Sequence, residues 1–363
     1  MNSIDDLIRR MRRSLVITGT TLGVVVLLVP IAVVVVKQIN DRYVDPGQEG
    51  IEAEGYVEKV TRVNQVDLSY VEGPDNGPPL ILLHAQHMDW YSYNLVLPDL
   101  AKSFHVFAID YPGHGKTTVP ADYPMTAAQI GGDLGDFIET VIKRPAYISG
   151  NSSGGLLTTW LAANRPDLVK AVLLEDPPLF SAEQPRIQQT IAYKSFVTSN
   201  RAVQENADDF LLYWIESSKP FFDKKVGKGS GFALTQAVKS YRKAHPGAPV
   251  EIGLLRNDTV RQFIRGLDQY DPRFGAAFYD GTWNEGFDHA ETLQRILCPV
   301  LLLQANFEVR ADGILDGAMS QEDADRAMLL LHNGTYQKID ASHVVHLNKP
   351  GEFTKTLTDF FSS

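Results

Sequence analysis

The chain has 363 residues, one cysteine, and 34 Lys and Arg against 44 Asp and Glu, for a formal net charge of -10. A hydrophobic share of 44% with 21% charged side chains excludes wholesale disorder. The acidic balance excludes a nucleic-acid binder, whose affinity comes from clustered Lys and Arg, and Cys298 alone can build neither an internal disulfide nor a cysteine-based metal site.

From Ser14 to Val36 no residue is charged. At about 1.5 Å per residue, a helix of that length crosses a bilayer core of about 30 Å. Arg9, Arg10, Arg12 and Arg13 precede the run, and Lys37, Asp41 and Arg42 follow it. The basic end stays on the cytoplasmic side, so residues 1–36 are expected to form a cytoplasmic end and transmembrane helix, with the remainder extracytoplasmic. A cleaved signal peptide would need a shorter apolar core and a small-x-small site, which Val33-Val34-Val35-Val36-Lys37 lacks. Residues 37–54 are polar, contain Asp45-Pro46-Gly47, and are expected to form a tether.

From Gly55 onward, strand and helix patterns alternate. Val57–Val63 and Val66–Val71 predict paired strands, and Leu80–Leu83 a buried parallel strand. A helix near 95–102 precedes the strand His105–Asp110. Thr126 predicts a cap for a helix reaching about Ile142, followed by the strand Ala146–Ser149, the helix Gly154–Asn164 and the strand Lys170–Glu175. After a long interruption come the strand Val300–Gln304, a helix over 321–331 with Ser320 and Asp323 at capping-box spacing, the strand Thr335–Ile339 and a last helix from Gly351. This alternation predicts an α/β fold with a mostly parallel sheet covered on both faces. The interruption, 178–290, is helical and rich in aromatics, and is expected as a cap over the carboxyl edge of the sheet, where ligands bind in such folds. The core is then 55–177 plus 291–363.

Gly150-Asn151-Ser152-Ser153-Gly154-Gly155 stands between a predicted strand and helix. It matches Gly-x-Ser-x-Gly, in which a strained turn lifts the serine above the sheet at a helix amino terminus. Ser152 is therefore the candidate nucleophile. Leu82-Leu83-His84-Ala85-Gln86 ends a strand, and the backbone N–H groups of Gln86 and Ser153 are the candidate oxyanion hole. His84 is expected to be a structural hydrogen-bonder. In Asp110-Tyr111-Pro112-Gly113-His114-Gly115 the following Lys116-Thr117 imitates a phosphate loop, but Asp110 occupies the place of its first glycine. His343, in the loop after the last strand, is the candidate general base, with His346 a packing residue. Three acids can orient His343: Glu308 and Asp312 after the strand Val300–Gln304, and Asp176 after Lys170–Glu175. No metal and no cofactor is expected, because neither His84/His87 nor His343/His346 has a completing carboxylate or cysteine cluster.

On His84-Ala85-Gln86, Asp110 to Gly115, Gly150 to Gly155 and Ser342-His343, in that order, the chain resembles the α/β-hydrolase superfamily over about Gly55 to Phe361. The resemblance implies an eight-stranded sheet with a cap after strand six, and Ser152 and His343 as nucleophile and base. Ala85 and Ser342 replace glycines usual in the family, and Ala305-Asn306-Phe307-Glu308 replaces its usual Gly-x-x-Asp. Members such as haloalkane dehalogenases carry the acid after strand six, which corresponds to Asp176 here; a serine at 152 speaks against their aspartate-nucleophile chemistry. The expected protein is a membrane-anchored serine hydrolase of a small or lipid-like apolar ester, held to the bilayer through 14–36. The alternatives are a carbon–carbon bond hydrolase of the meta-cleavage type and a ligand-binding protein without catalysis.

Overall fold

A computed structural model describes residues 40–255 and 257–362. The apolar run at 14–36 and the basic end before it lie outside the described residues. Among the described residues, no helix is long and apolar enough to cross a membrane.

Among the described residues, ten strands follow in the order β1 (Val57–Val63), β2 (Val66–Glu72), β3 (Pro79–Leu83), β4 (His105–Asp110), β5 (Ala146–Asn151), β6 (Val169–Glu175), β7 (Val300–Gln304), β8 (Glu308–Val309), β9 (Leu315–Asp316) and β10 (Gly334–Lys338). Eight of them build one sheet, ordered β1-β2-β4-β3-β5-β6-β7-β10, while β8 and β9 pair as a separate hairpin. Only β2 runs against its neighbours β1 and β4; every other pair in the large sheet is parallel. Every residue of β3 and β7 is buried, as both faces of a parallel sheet require cover. Period two sorts their side chains. Ile81 and Leu83 join the core beneath the helices Ala127–Phe137 and Ser153–Asn164, whereas Leu80 and Leu82 meet Leu97, Leu100, Phe353 and Leu357 on the opposite face. At the edge, β1 exposes Val57 and Val60 among charged residues that discourage further pairing. Thr126 accepts from the Gln129 N–H as expected, and Ser320 with Asp323 makes a full capping box.

Between β6 and β7 the chain forms the helices Tyr193–Gln204, Phe210–Lys225, Ser230–Ala244, Asp258–Asp268, Pro272–Asp280 and His289–Gln294. Most of the aromatics in this stretch make its own core: Phe278 stacks on Phe196 at 4.9 Å and on the fully buried Trp283 at 4.4 Å. The cap sits close on the strand ends. A side chain at Gly266 would come within 2.2 Å of the His87 carbonyl oxygen, so only glycine permits the approach.

The tether expected at 37–54 is corrected over its described part. Residues 40–54 are packed onto the cap and the sheet, with Asn40 and Asp45 buried and the helix Gly47–Ala53 placing Ile51 in the core. Asn40 Nδ2 donates to the Ala237 carbonyl at 3.3 Å, the Asp45 N–H donates to Glu251 at 3.2 Å, and Arg261 pairs with Asp45 at 2.9 Å. Asn40, Asp41 and Asp45 are taken up by cap residues through their side chains, while Arg42, Gln48, Glu49, Glu52 and Glu54 stay exposed.

Candidate active site

β5 ends at Asn151 and the next helix begins at Ser153, so Ser152 alone makes the turn, at φ 56° and ψ -120°. That backbone is strained for any residue with a side chain, by about 1–3 kcal/mol. The surrounding glycines explain how the turn fits. A Cβ at Gly154 would lie 2.2 Å from the Leu83 carbonyl oxygen, and one at Gly150 would lie 2.2 Å from the Gly154 oxygen. The turn is pinned from β6, where the Glu175 carbonyl accepts the Ser152 N–H at 3.0 Å. Ser152 thus stands at the head of a helix whose first N–H groups lack intrahelical acceptors, a site that favours developing negative charge.

His343 reaches the same place from the loop after β10. Its Nδ1 lies 2.7 Å from Asp176 Oδ2, and its side chain keeps 39% exposure while Asp176 keeps 2%. Burial alone pulls the His343 pKa down, but the hydrogen bond and charge of Asp176, with the charge of Glu175 behind it, outweigh burial and hold it above the ordinary imidazole value. The other Asp176 oxygen accepts the Ala305 N–H at 3.1 Å, so both carboxylate oxygens are fixed.

Of the three acids considered for this place, the structure brings only Asp176 to the histidine. Glu308 is an exposed residue of β8 opposite Asp316, and Asp312 is exposed in the turn of that hairpin, where it accepts the Ile314 N–H. The physical reason lies in the turn after β7. Ala305 gives its N–H to Asp176, and Asn306 gives its N–H to the Ala341 carbonyl at 3.0 Å, so this turn braces the acid and the histidine loop, while Glu308 and Asp312 beyond it stay exposed in the β8–β9 hairpin. Asp176 itself has φ 44°, a left-handed turn directly after β6.

Gln86 and Ser153 both line the cavity at Ser152 and His343. The Gln86 amide donates to Tyr270 OH at 2.6 Å, tying its loop to the cap, and Ser153 Oγ lies 2.9 Å from Tyr111 OH. His84 is structural as expected: fully buried, stacked 4.4 Å from Tyr111, its Nδ1 on the Ala85 carbonyl, its pKa pulled by burial down to about 4. The Asp110 turn is structural too, since the Asp110 carboxylate takes the Trp90 and Lys116 N–H groups and leaves Gly115 no room for a side chain. His346 packs 4.0 Å from the Tyr93 ring, and its N–H and Nδ1 both meet the buried Glu175 carboxylate. Sequence reasoning missed Asn151, whose Nδ2 lies 3.0 Å from the carbonyls of both Glu175 and His343, joining the serine turn to the histidine loop. A buried amide at the last position of a strand, next to the serine, was the available signal.

The cavity measures about 350 Å³ and is walled by apolar cap residues, among them Ile187, Ile191, Phe196 and Phe278. Among the described residues no Lys or Arg lines it, and Asp316 at its edge pairs with Arg310. No group of His, Cys, Asp and Glu suited to a metal ion occurs among the described residues.

Known proteins share this architecture. The chain is 33% identical over 101 residues to (E)-2-((N-methylformamido)methylene)succinate hydrolase of Acinetobacter baylyi, a match covering 26% of this chain and 35% of that enzyme. It superposes on the enol-lactonase from Burkholderia xenovorans with a TM-score of 0.60 at 20% identity, over 84% of this chain and all of the other. A membrane phospholipase A superposes with a TM-score of 0.59 at 19% identity, over 94% of this chain and 97% of that one. The sequence profile of the alpha/beta hydrolase fold matches residues 78–350, and with most of its length so matched the chain belongs to the α/β-hydrolase family.

Proposed function

We propose that the protein is a serine hydrolase of an uncharged, apolar carboxylic ester, working through an acyl-enzyme. The carrying observation is the His343–Asp176 pair at 2.7 Å, opening with the strained Ser152 onto one apolar cavity. Ser152 Oγ attacks the ester carbonyl carbon while His343 Nε2 takes the hydroxyl proton. Asp176 keeps the other imidazole proton on Nδ1 and faces the imidazolium that forms. The carbonyl oxygen becomes an oxyanion that the Gln86 and Ser153 N–H groups stabilise. As the tetrahedral centre collapses, the C–O bond to the alcohol breaks and His343 returns the proton to it. Water then repeats the sequence on the Ser152 ester and releases the acid.

The lining supports a neutral substrate over an anionic one, since a substrate carboxylate would enter an apolar cavity with no cationic side chain to meet it. The apolar, charge-free run 14–36, with four arginines before it, is the basis for proposing a single-pass anchor with the amino terminus cytoplasmic. Fluorophosphonate labelling with a panel of p-nitrophenyl esters tests the reaction. Ser152→Ala should abolish both labelling and turnover, and retention of either would overturn the assignment. A vinylogous diketone in the same panel tests the carbon–carbon hydrolase alternative, for which turnover exceeding that of every ester would be required.

A further inference from the structure

A second surface of the cap is separate from the residues that line the hydrolytic cavity. The helices Phe210–Lys225 and Ser230–Ala244 form a hairpin whose turn is closed by the Gly229 N–H on Asp223 at 2.9 Å. The two helices touch near the turn, where a side chain at Gly231 would come within 2.7 Å of Lys219. At this tip Phe221, Val226 and Phe232 are 60%, 74% and 62% exposed. Single exposed apolar side chains are ordinary, but three large ones on one hairpin tip mark an interaction surface. Charge accompanies them. Lys224, Lys225 and Lys228 are exposed and have no carboxylate partner among the described residues, on a chain whose overall charge is -10.

The route of the chain supplies the partner. Asn40 is held on the same hairpin, at Ala237, and Ser240 donates to Asp41 at 2.7 Å. The charge-free run ends at Val36, four positions before Asn40, a reach of at most about 14 Å. Phe232 lies five helical positions from Ala237, about 7.5 Å along the axis. The end of the run therefore falls within about 30 Å of the tip, one bilayer-core thickness.

Resting on the anchor proposed above, we propose that the hairpin tip is a membrane foot. Phe221, Val226 and Phe232 enter the headgroup region of an anionic bilayer, and Lys224, Lys225 and Lys228 face its phosphates. The cap, rather than the sheet, then lies against the membrane.

The test uses the full chain reconstituted in phosphatidylcholine vesicles with and without phosphatidylglycerol. Phe232→Cys, in a Cys298→Ser background, carries a bimane probe, and lipids brominated on the acyl chain act as quenchers. Phe221→Cys repeats the measurement in case one site perturbs folding. Leu329→Cys, at the 87% exposed Leu329 of the helix Gln321–Leu330, is the reference. With phosphatidylglycerol, quenching at Phe232 and Phe221 should exceed that at Leu329 by about threefold or more. Combined Lys224→Glu, Lys225→Glu and Lys228→Glu should bring it down to the reference. Protein that floats with the vesicles through an alkaline wash but shows reference-level quenching at both sites overturns the foot and leaves the anchor standing. Protein that does not float overturns both. Quenching indifferent to phosphatidylglycerol and to charge reversal overturns the anionic-surface assignment.

Discussion

Asp176→Asn is the sharpest probe of the site, because the structure dictates which way the new amide must face. Asp176 Oδ1 accepts the Ala305 N–H at 3.1 Å, and Oδ2 meets His343 Nδ1 at 2.7 Å. In the asparagine variant the amide oxygen has to remain on the Ala305 N–H, since a second donor there would leave two N–H groups opposed. The amide nitrogen then points at Nδ1, which must present a lone pair, and the imidazole proton moves to Nε2. The atom required to accept the Ser152 proton is already protonated. A tautomer error of this kind costs on the order of 10⁴ in kcat, or about 5.4 kcal/mol of transition-state stabilisation. The assay is steady-state hydrolysis of the best p-nitrophenyl ester, with the fluorophosphonate labelling rate measured in parallel and Glu308→Gln as the comparison. Glu308 is exposed on a separate hairpin, so its variant should stay within about threefold of the parent. Loss of activity in Glu308→Gln, with Asp176→Asn retaining a tenth or more, would refute the reasoning.

Acidity offers a second measurement. His343 is held above its ordinary pKa of 6.5, chiefly by Asp176 acting against burial, and only the neutral ring is a base. Activity should therefore fall as pH drops through a midpoint above 6.5, and Asp176→Asn should move that midpoint down. In the stability profile the sign is the reverse: this histidine's contribution is complete below 6.5 and is lost as pH rises through its raised folded value. Gly154→Ala should lower the melting temperature and the activity together. Its methyl would lie 2.2 Å from the Leu83 oxygen and 2.6 Å from the His84 oxygen, an overpacking worth about 1–3 kcal/mol that displaces the oxyanion turn. Arg265→Met should cost about 3–5 kcal/mol in urea unfolding, because it strands Asp89 and Glu251, which Arg265 pairs at 2.8 and 2.7 Å in a largely buried position.

The strands were legible because burial writes itself into short apolar runs. β4 and β7 match their predicted bounds, and the capping box at Ser320 follows from two residues three apart. The serine turn was legible for a similar reason, since its glycines answer local backbone contacts such as Gly154 on Leu83. The acid was not, because its identity is decided by which adjacent strand end turns toward the histidine loop. β6, β7 and β10 lie side by side, so acids after β6 and after β7 are both candidates in sequence. The left-handed turn at Asp176 and the N–H of Ala305 decide between them, and neither leaves a mark in composition. The docking of residues 40–54 was hidden likewise: a polar segment reads as solvated until its partners, Arg261 and Glu251, are brought in from more than two hundred positions away.

Ser152 and Asp176 occupy left-side backbone conformations, at φ 56° and 44°, at the ends of neighbouring strands. Two such residues set selection for durability against selection for turnover at the same spot. Ser152→Gly should relieve strain and raise the melting temperature while removing the proposed nucleophile, and a melt unchanged or lowered would mean the turn is not strained. A lineage that abandoned hydrolysis would then be expected to drift toward glycine at position 152 first, gaining stability as it left function, whereas Asp176 is kept by its bonds to Ala305 and His343.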